Sequence, residues 1–428
     1  MLQPHQITPP MSADRALEIA AAFDLRALPA DFLANPYPVY AALRETEPVR
    51  PMPDGSVFLT RHADLMAVYR DAAVFSSDKH VEFGPKYGVD SPLYEHHTTS
   101  LVFNDPPLHT RVRKLIMGAL TRRAIAEMEP GLVTLVNHLL DRIEAQGGGD
   151  LIEDFAAAIP VEIIGNLLGV PHEGRGPLRD WSLAILGALE PVPTPAQHAA
   201  GNRSVTEMLA YLRTLVAERR KAPGDPEHDV LTRLIQGEAG GEQLSEVELL
   251  QNCIFLLNAG HETTTNLIGN GLILLQAFPA ERERLLADLR AAGDASAQEQ
   301  VLTRAVDECL RFESSNQLGN RRSLAPCTIA GAELAAGTLV TLCIGAANRD
   351  PAVFDQPEAL NLRREGNKHL AFGFGIHQCA GLSLARLEGR IAIGRFLQRF
   401  PRFELSAPPV RGGRARFRGF LSAPFRAG

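Results

Sequence analysis

The segment Phe372-Gly373-Phe374-Gly375-Ile376-His377-Gln378-Cys379-Ala380-Gly381 is the most informative stretch of this sequence. Its two glycines allow a tight bend, and a long helical pattern from about Leu382 to Phe400 begins directly after it. Backbone N–H groups and the positive end of that helix favour a thiolate over a thiol at Cys379. The segment therefore predicts a single cysteine that acts as a nucleophile or as an axial metal ligand.

Two familiar glycine-rich motifs do not match this segment. The spacing Gly373-x-Gly375-x-x-Gln378 lacks the third glycine of a dinucleotide-binding loop, and no strong strand pattern precedes it. The run Gly381-Leu382-Ser383-Leu384-Ala385 ends in alanine, so it is not the serine elbow of a hydrolase. A buried cysteine with only a packing role in a glycine-rich turn is the remaining alternative.

The segment from Ser245 to Phe278 predicts a long helix through the interior. Ser245 and Glu248 form a capping box, and Pro279 stops the pattern. At ~1.5 Å per residue such a helix spans roughly 50 Å, the breadth of a whole domain. Its apolar residues leave little polar face, which favours burial.

The centre of that helix is interrupted by the polar run Ala259-Gly260-His261-Glu262-Thr263-Thr264-Thr265-Asn266. Glycine and consecutive threonines weaken a helix, and a carboxylate in an apolar setting must be paired, hydrated or protonated. Buried ionisable groups concentrate at functional sites, so the run predicts a site; a polar notch satisfied by neighbouring loops is the alternative. It is not a zinc-protease motif, because Thr265 stands where H-E-x-x-H requires its second histidine.

Glu308 and Arg311 stand three residues apart on one face of a further predicted helix. Most such pairs are solvated and contribute little to stability. Only the motifs on either side of this pair indicate that it is more than an ordinary surface ion pair.

The composition is that of a soluble globular protein: 428 residues, 45% hydrophobic and 22% charged. The net charge of −7 argues against a nucleic-acid partner, and five scattered cysteines without a C-x-x-C pair fit a reducing compartment. The sequence shows neither a signal-peptide pattern nor the ~20 uninterrupted apolar residues of a membrane span. We therefore expect no nucleic acid, no membrane and a cytoplasmic location.

The coarse secondary structure is mainly α with a minor β region. Helical periodicity dominates from about Asp105 to Arg321, whereas strand-like runs flank Pro53-Asp54-Gly55 and return at 328–329 and 339–342. We expect residues 1–30 to form a loosely ordered leader. We expect residues 31–428 to form a single domain, since no linker divides them.

Three motifs stand in order along the chain: A-G-x-E-T-T at 259–264, E-x-x-R at 308–311 and F-G-x-G-x-H-x-C-x-G at 372–381. Together they resemble the cytochrome P-450 family of haem-thiolate monooxygenases, and the last motif is highly specific for it. Shorter matches at 105–113 and 348–357 extend the resemblance over nearly the whole chain, and it is to the soluble bacterial members. The resemblance implies the cytochrome P-450 fold, with the long central helix over the haem.

The implied cofactor is haem b (heme b, iron protoporphyrin IX), with the Cys379 thiolate as its axial ligand. Glu308 and Arg311 become structural by this resemblance, locked to a later arginine, Arg364. Arg322 remains an alternative to Arg321 at a haem propionate. The residues expected at the cofactor are Cys379, His109, Arg113, Arg321, His377, Phe372, Gly373 and Gly260.

The implied reaction inserts one oxygen atom of O2 into a C–H bond, with two electrons delivered singly. Thr263 is expected to offer its hydroxyl to bound oxygen, and Glu262 to relay protons. A peroxide-driven peroxygenase and a non-catalytic haem sensor or ligand-binding protein are the alternatives, and the intact Glu262-Thr263 pair disfavours both.

Electrons are expected from a ferredoxin or flavodoxin with its NAD(P)H-dependent reductase, because the sequence shows no convincing flavin or iron–sulfur domain. We expect this partner to dock on the cysteine side. The basic residues that favour docking there are Arg111, Lys114, Arg122, Arg123 and Arg386.

The expected substrate is a small or medium hydrophobic molecule, covered by a loop from His80 to Val102. The run Glu313-Ser314-Ser315-Asn316-Gln317 stands where family members often carry proline, which predicts a polar stretch of wall. The sequence does not identify an arginine placed to anchor a carboxylate. The residues expected to line the pocket are Leu256, Ala259, Thr264, Leu318 and Phe420.

Overall fold

The structure, a computed structural model, describes residues 11–227, 229–239 and 242–428. Within these ranges the chain is mainly helical, as predicted. The helices are α1 (Ala13–Ala22), α2 (Ala30–Ala34), α3 (Tyr37–Thr46), α4 (His62–Arg70), α5 (His80–Tyr87), α6 (Pro92–Thr99), α7 (Leu108–Ala119), α8 (Arg122–Gln146), α9 (Ala158–Leu167), α10 (Leu178–Gly187), α11 (Pro195–Lys221), α12 (Val230–Gln236), α13 (Glu246–Ala277), α14 (Pro279–Ala291), α15 (Ala295–Phe312), α16 (Ile344–Ala347) and α17 (Leu382–Arg399).

The β part is small and made of short strands. They are β1 (Val49–Pro51), β2 (Val57–Leu59), β3 (Phe75–Ser76), β4 (Gly148–Asp150), β5 (Glu238–Ala239), β6 (Glu242–Gln243), β7 (Leu318–Ser323), β8 (Cys327–Ile329), β9 (Ala332–Leu334), β10 (Leu339–Cys343), β11 (Glu404–Leu405), β12 (Val410–Arg411), β13 (Phe420–Ser422) and β14 (Pro424–Arg426). The largest sheet has the order β1-β2-β10-β7-β3, in which only the β2–β10 pair is parallel.

Helix α13 runs through the centre of the molecule and confirms the predicted long interior helix. The Ser245 hydroxyl accepts a hydrogen bond from the Glu248 N–H at 3.2 Å, and the Glu248 carboxylate accepts one from the Ser245 N–H at 2.8 Å. This reciprocal cap satisfies two N–H groups that a helix start otherwise leaves open. Helices α9, α10 and α17 all pack against α13, so its polar run lies inside the protein.

The glutamate–arginine helix confirms the structural role implied for its ion pair. Both side chains are fully buried, and Glu308 accepts two hydrogen bonds of 2.8 Å from Arg311 and one of 3.0 Å from Arg364. Arg311 also donates to the carbonyls of Asn348, Pro357 and Ala359. The network fastens the segment before the cysteine loop to helix α15.

Two predictions about loosely structured segments are wrong. Residues 1–10 of the expected leader lie outside the described residues, but α1 is a regular helix whose Ala16 and Ala20 are buried against α3. The expected loop from His80 to Val102 contains the helices α5 and α6. In the described ranges we find no helix with the length and apolar character that crossing a membrane requires.

Candidate functional site

A cavity of about 350 Å³ lies between α13 and the cysteine segment, and most of its wall is apolar. Side chains from α7, α13, β7 and the cysteine segment meet there, although they are far apart in sequence. Of the predicted site residues, the following line this cavity: Cys379, Arg113, Arg321, His377, Phe372, Gly373, Gly260, Thr263, Leu256, Ala259, Thr264 and Leu318.

The cysteine segment is held in place by backbone geometry that only glycine permits. Gly375 has a φ of +73°, and a Cβ at that position would collide with the Tyr69 carbonyl oxygen. The Cys379 N–H donates to the Phe372 carbonyl at 2.9 Å, which closes the loop before α17 begins. The Cys379 side chain is thereby exposed to the cavity while protein surrounds it on all other sides.

The predicted thiolate character of Cys379 is only partly present in the polypeptide itself. Burial raises the pKa of the Cys379 thiol, while a hydrogen bond from the Gly381 N–H and the charge of Arg113 act in the opposite direction. Removal from water therefore outweighs the helix end, which corrects the sequence argument. A bound metal ion supplies the positive charge that favours the thiolate.

A cluster of basic side chains stands beside the cysteine. The rings of His109 and His377 are 4.1 Å apart between centroids, and burial lowers the pKa of His377 well below its ordinary value, with Arg321 contributing. Arg113 and Arg321 line the cavity without an ion pair to any residue of the described ranges. Arg322 points elsewhere, because it pairs with Glu82 at 2.8 Å.

This cluster fits the two carboxylates of a haem. Buried cations without partners are costly, and the Nε2 atom of His377 is likewise buried with no hydrogen-bond partner in the described part of the chain. Two anionic groups would satisfy these atoms, and Cys379 supplies a single soft sulfur ligand in the same cavity. Within the described ranges, no group of three or more His, Cys, Asp and Glu side chains forms an alternative metal site.

The two residues of the predicted proton relay face different spaces. Thr263 borders the large cavity, and its hydroxyl donates to the Ala259 carbonyl at 2.7 Å. Glu262 does not line that cavity. Its carboxylate accepts two hydrogen bonds from Arg414, of 2.6 and 2.9 Å, in a small side pocket that His261 also lines.

The side pocket tunes the charge of Glu262. Burial raises the pKa of Glu262 to about 7, although Arg414 acts in the opposite direction. The pocket has a volume of about 20 Å³, enough for roughly one water molecule. Glu262 can therefore hold or release a proton near neutral pH, which is the property a relay needs.

Of the five residues predicted to line the substrate pocket, four line the large cavity and one does not. Phe420 lines the side pocket rather than the large cavity, because β13 places it beside Glu262. The expected polar stretch is present, since Ser315 and Asn316 both line the cavity. The segment expected as a cover contributes His96, His97 and residues 100–102.

Several charged residues at these two spaces were not predicted from the sequence. Among them are Arg414, which pairs with Glu262; Arg416, which lines the large cavity; and Glu388 of α17, which also lines the cavity. The alternation Arg414-x-Arg416-x-Arg418 was the available signal, but alternate arginines on a turn are common on surfaces. Only the fold shows that this turn points inward.

Comparison with known sequences tests the family. The Cytochrome P450 family model matches residues 182–416. The chain is also 34% identical over 382 residues to the biotin biosynthesis cytochrome P450 of Bacillus subtilis, covering 88% of this chain and 92% of that one. The chain belongs to the cytochrome P450 family. It is therefore an oxidoreductase of this family, and it binds haem through a cysteine thiolate.

The names of other relatives and of related solved structures give different substrates and ligands. It is 36% identical over 380 residues to the vitamin D(3) 25-hydroxylase of Pseudonocardia autotrophica, covering 88% of this chain and 89% of the relative. Among solved structures, P450BioI in complex with acyl carrier protein carrying hexadec-9Z-enoic acid gives a TM-score of 0.85 at 32% identity, covering 93% and 100% of the two chains. CYP109E1 of Bacillus megaterium with testosterone gives 0.83 at 29% identity, covering 94% and 100%.

Proposed function

We propose that this P450 is a monooxygenase that inserts one atom of O2 into a C–H bond of a small or medium hydrophobic substrate. The observation that supports this most directly is the shared cavity, in which the Cys379 thiol and the Thr263 hydroxyl border one largely apolar space. When bound, the haem supplies oxygen activation, and the thiolate ligand favours O–O cleavage. The polypeptide supplies binding, orientation and protons.

Cofactor binding is assigned to residues from three parts of the chain: α7, β7 and the cysteine segment. Cys379 is proposed as the axial ligand, with Phe372 and Gly373 packed beside it. Arg113, Arg321, His109 and His377 are proposed to hold the propionates. The ion pair of Arg322 with Glu82 supports Arg321 as the arginine that meets the haem.

Proton delivery is assigned to Thr263 and Glu262. The Thr263 hydroxyl donates its own proton to the Ala259 carbonyl, so its lone pairs stay available toward the cavity. Glu262 collects protons in the side pocket, where its raised pKa lets it titrate near neutral pH. Gly260 keeps the space beside the cofactor free of a side chain.

Electrons are proposed to come from a ferredoxin or flavodoxin and its NAD(P)H-dependent reductase, docking on the cysteine side. Of the five basic residues expected there, Arg111, Arg123 and Arg386 are ion-paired with Glu248, Glu127 and Asp307. Lys114 and Arg122 are exposed. They are the stronger candidates for contact with an acidic partner.

Location and domain organisation complete the proposal. All five cysteines lack disulfide partners in the structure, which supports a reducing compartment, and we propose the cytoplasm. We propose one haem-thiolate domain that includes the helix α1. The alternatives of a peroxygenase and a haem sensor have no observation in their favour.

The test combines a spectrum with a product. The reduced, CO-bound protein is expected to show the thiolate spectrum, and Cys379→Ser to lose it. NADH, surrogate ferredoxin and reductase with ¹⁸O2 are expected to place one ¹⁸O atom in the product of a bound hydrophobic substrate. Turnover that occurs with peroxide but not with NADH and the redox partners would contradict the proposal. A thiolate spectrum without any oxygenated product would contradict it as well.

A further inference from the structure

Arg416 is a partly buried arginine that lines the large cavity and makes no ion pair with a carboxylate of the described residues. Its Nε donates to the Leu189 carbonyl at 3.0 Å and its Nη1 to the Leu318 carbonyl at 2.9 Å. Its Nη2 makes no hydrogen bond within the described ranges, and the guanidinium forms no ion pair there. A cation held in this way has its stem fixed and one donor group directed at open space.

The carboxylate of Glu190 does not neutralise this guanidinium directly. The oxygens of Glu190 accept hydrogen bonds from the backbone N–H of Ala415 at 2.7 Å and of Arg416 at 3.1 Å. They are thus occupied by the turn that carries Arg416. Glu190 fixes the backbone and leaves the side-chain charge without a contact partner.

The charges around the cavity leave Arg416 unmatched. Three arginines line the wall: Arg113, Arg321 and Arg416. Glu388 is the one carboxyl among the described lining residues, and burial raises its pKa to about 8, so it is mostly neutral at pH 7. Haem b carries two propionates, which match the first two arginines. The nearby Glu190 carboxylate offsets part of the third charge without an ion pair to it, so an anion in the cavity would be the direct partner of this guanidinium.

His97 offers a second donor in the same cavity. Its side chain is 1% exposed, and its Nε2 has no hydrogen-bond partner in the described part of the chain. Burial lowers the pKa of His97 well below its ordinary value, with the charges of His96, Lys86 and Arg416 adding to the effect. The neutral imidazole can donate one N–H without adding a charge.

We propose that Arg416 and His97 form an anion-binding end of the substrate cavity, so that the substrate is a hydrophobic carboxylic acid held by its carboxylate. One guanidinium and one neutral imidazole match a single negative charge with two acceptor oxygens. The apolar wall between this end and Cys379 takes the hydrocarbon part. The inference rests on the proposed monooxygenase function and names its substrate class.

The experiment measures the affinity of the ferric holoprotein for dodecanoic acid, methyl dodecanoate and dodecan-1-ol at pH 7. Binding is followed by the shift of the haem absorption band and, independently, by equilibrium dialysis. Because hydrogen bonds to charged groups contribute about 1.5–3 kcal/mol, the acid is expected to bind about 10- to 100-fold more tightly than the ester. Arg416→Gln is expected to bring this ratio close to one, while the affinity for the ester changes little.

Arg411→Gln is the matched control. Arg411 belongs to the same C-terminal hairpin but does not line the large cavity, so the acid-to-ester ratio should stay at the wild-type value. Arg416→Lys keeps a positive charge and should retain part of the ratio. His97→Phe should lower it by a smaller factor than Arg416→Gln.

The outcomes separate this inference from the proposed function. Equal affinity of the wild type for acid and ester, a preference for the ester, or no binding of any of the three overturns the carboxylate site. A retained ratio in Arg416→Gln overturns the role of Arg416. The wild-type comparison stands even where a variant fails to take up haem. The ¹⁸O2 experiment decides the monooxygenase function separately, with any substrate that binds.

Discussion

Thr263 is one of the polar residues of the central helix that line the large cavity. Thr263→Ala is expected to keep the thiolate spectrum and ligand affinity, because the Thr263 hydroxyl bonds within its own helix, to the Ala259 carbonyl. It should divert electrons from product into peroxide, since proton delivery to bound oxygen is impaired. The measurement is the stoichiometry of NADH consumed, peroxide released and product formed.

Thr265→Ala serves as the control for that variant. The Thr265 hydroxyl also donates to a helix carbonyl, that of His261 at 3.0 Å, but it faces the side pocket. The helix therefore loses an equivalent hydrogen bond in both variants. Normal coupling in Thr263→Ala, or an equal loss in Thr265→Ala, would argue against a specific role for the Thr263 hydroxyl.

We expect the buried carboxyl of Glu388 to make the free energy of unfolding depend on pH. Its carboxyl is 3% exposed, and burial raises its pKa to about 8 from 4.5. The folded state therefore holds this proton more tightly than the unfolded state. The resulting stabilisation is complete below pH 4.5 and is lost as the pH rises through about 8, on the order of 1.4 kcal/mol for each pKa unit.

Glu388→Gln removes this titration. Relative to the wild type, the variant should gain stability between pH 5 and about pH 8, and the difference should level off above that pH. Unfolding of the holoprotein followed by circular dichroism at several pH values measures the difference. Glu404→Gln, at an exposed position on β11, should show no such trend. A constant difference between wild type and Glu388→Gln across this range would contradict the prediction.

Individual site residues were predictable only where a local motif carried them. Cys379 and Gly375 belong to one ten-residue frame in which glycine conformation and helix onset are both local. Arg416 had no such frame, because its orientation depends on a turn held by Glu190, more than 200 residues earlier in the chain. Phe420 was misplaced for the same reason.

At the scale of elements, α15 is fastened to the segment before the cysteine loop. We expect two neighbouring arginines of that segment to differ in how much they stabilise the fold. Arg364 donates to the fully buried Glu308, whereas Arg363 pairs with Asp288 at the surface, with 57% of its own side chain exposed. Arg364→Met should cost about 1.5–3 kcal/mol, because it removes a charged hydrogen bond to a buried carboxylate that Arg311 still neutralises. Arg363→Met should cost far less, because its ion pair lies at the surface.

Denaturant unfolding of the two holoproteins compares these costs at identical net charge. Haem content, measured from the CO-bound spectrum, should fall in Arg364→Met before the far-ultraviolet signal does. Equal stability of the two variants would show that Glu308 is satisfied by Arg311 and the backbone of Asn361 alone.

Elements differed in how far sequence could predict them. Helix α13 carries its own start and stop signals, the Ser245 cap and Pro279, so both ends followed from local chemistry. Helices α5 and α6 are eight residues each, and α5 contains Gly84 and Pro85, residues that disfavour helix. Packing of Phe83 and Tyr87 into the core overrides that preference, which a sequence pattern does not reveal.

At the scale of the whole molecule, the cavity depends on segments that meet from distant parts of the chain. The family motifs predicted α7, α13 and the cysteine segment separately, whereas strand β7 lies where the sequence indicated helical periodicity. Which wall each residue occupies follows from the packing of α9, α10 and α17 around α13. This explains why Glu262 and Thr263, although adjacent in sequence, open on different spaces.

The distribution of surface charge predicts where electrons enter. Lys114 lies on α7, one residue after Arg113 of the cavity wall, and Arg122 begins α8; both are exposed. Lys114→Gln and Arg122→Gln should each slow haem reduction by an acidic ferredoxin about two- to fivefold at low salt, because steering and docking weaken. The difference should vanish near 0.5 M salt, where the screening length is only several ångströms.

Arg15→Gln, which makes the same charge change on α1, is the control, and its haem should be reduced at the wild-type rate. Equal slowing by all three variants would mean that net charge, rather than a docking face on the cysteine side, governs electron delivery.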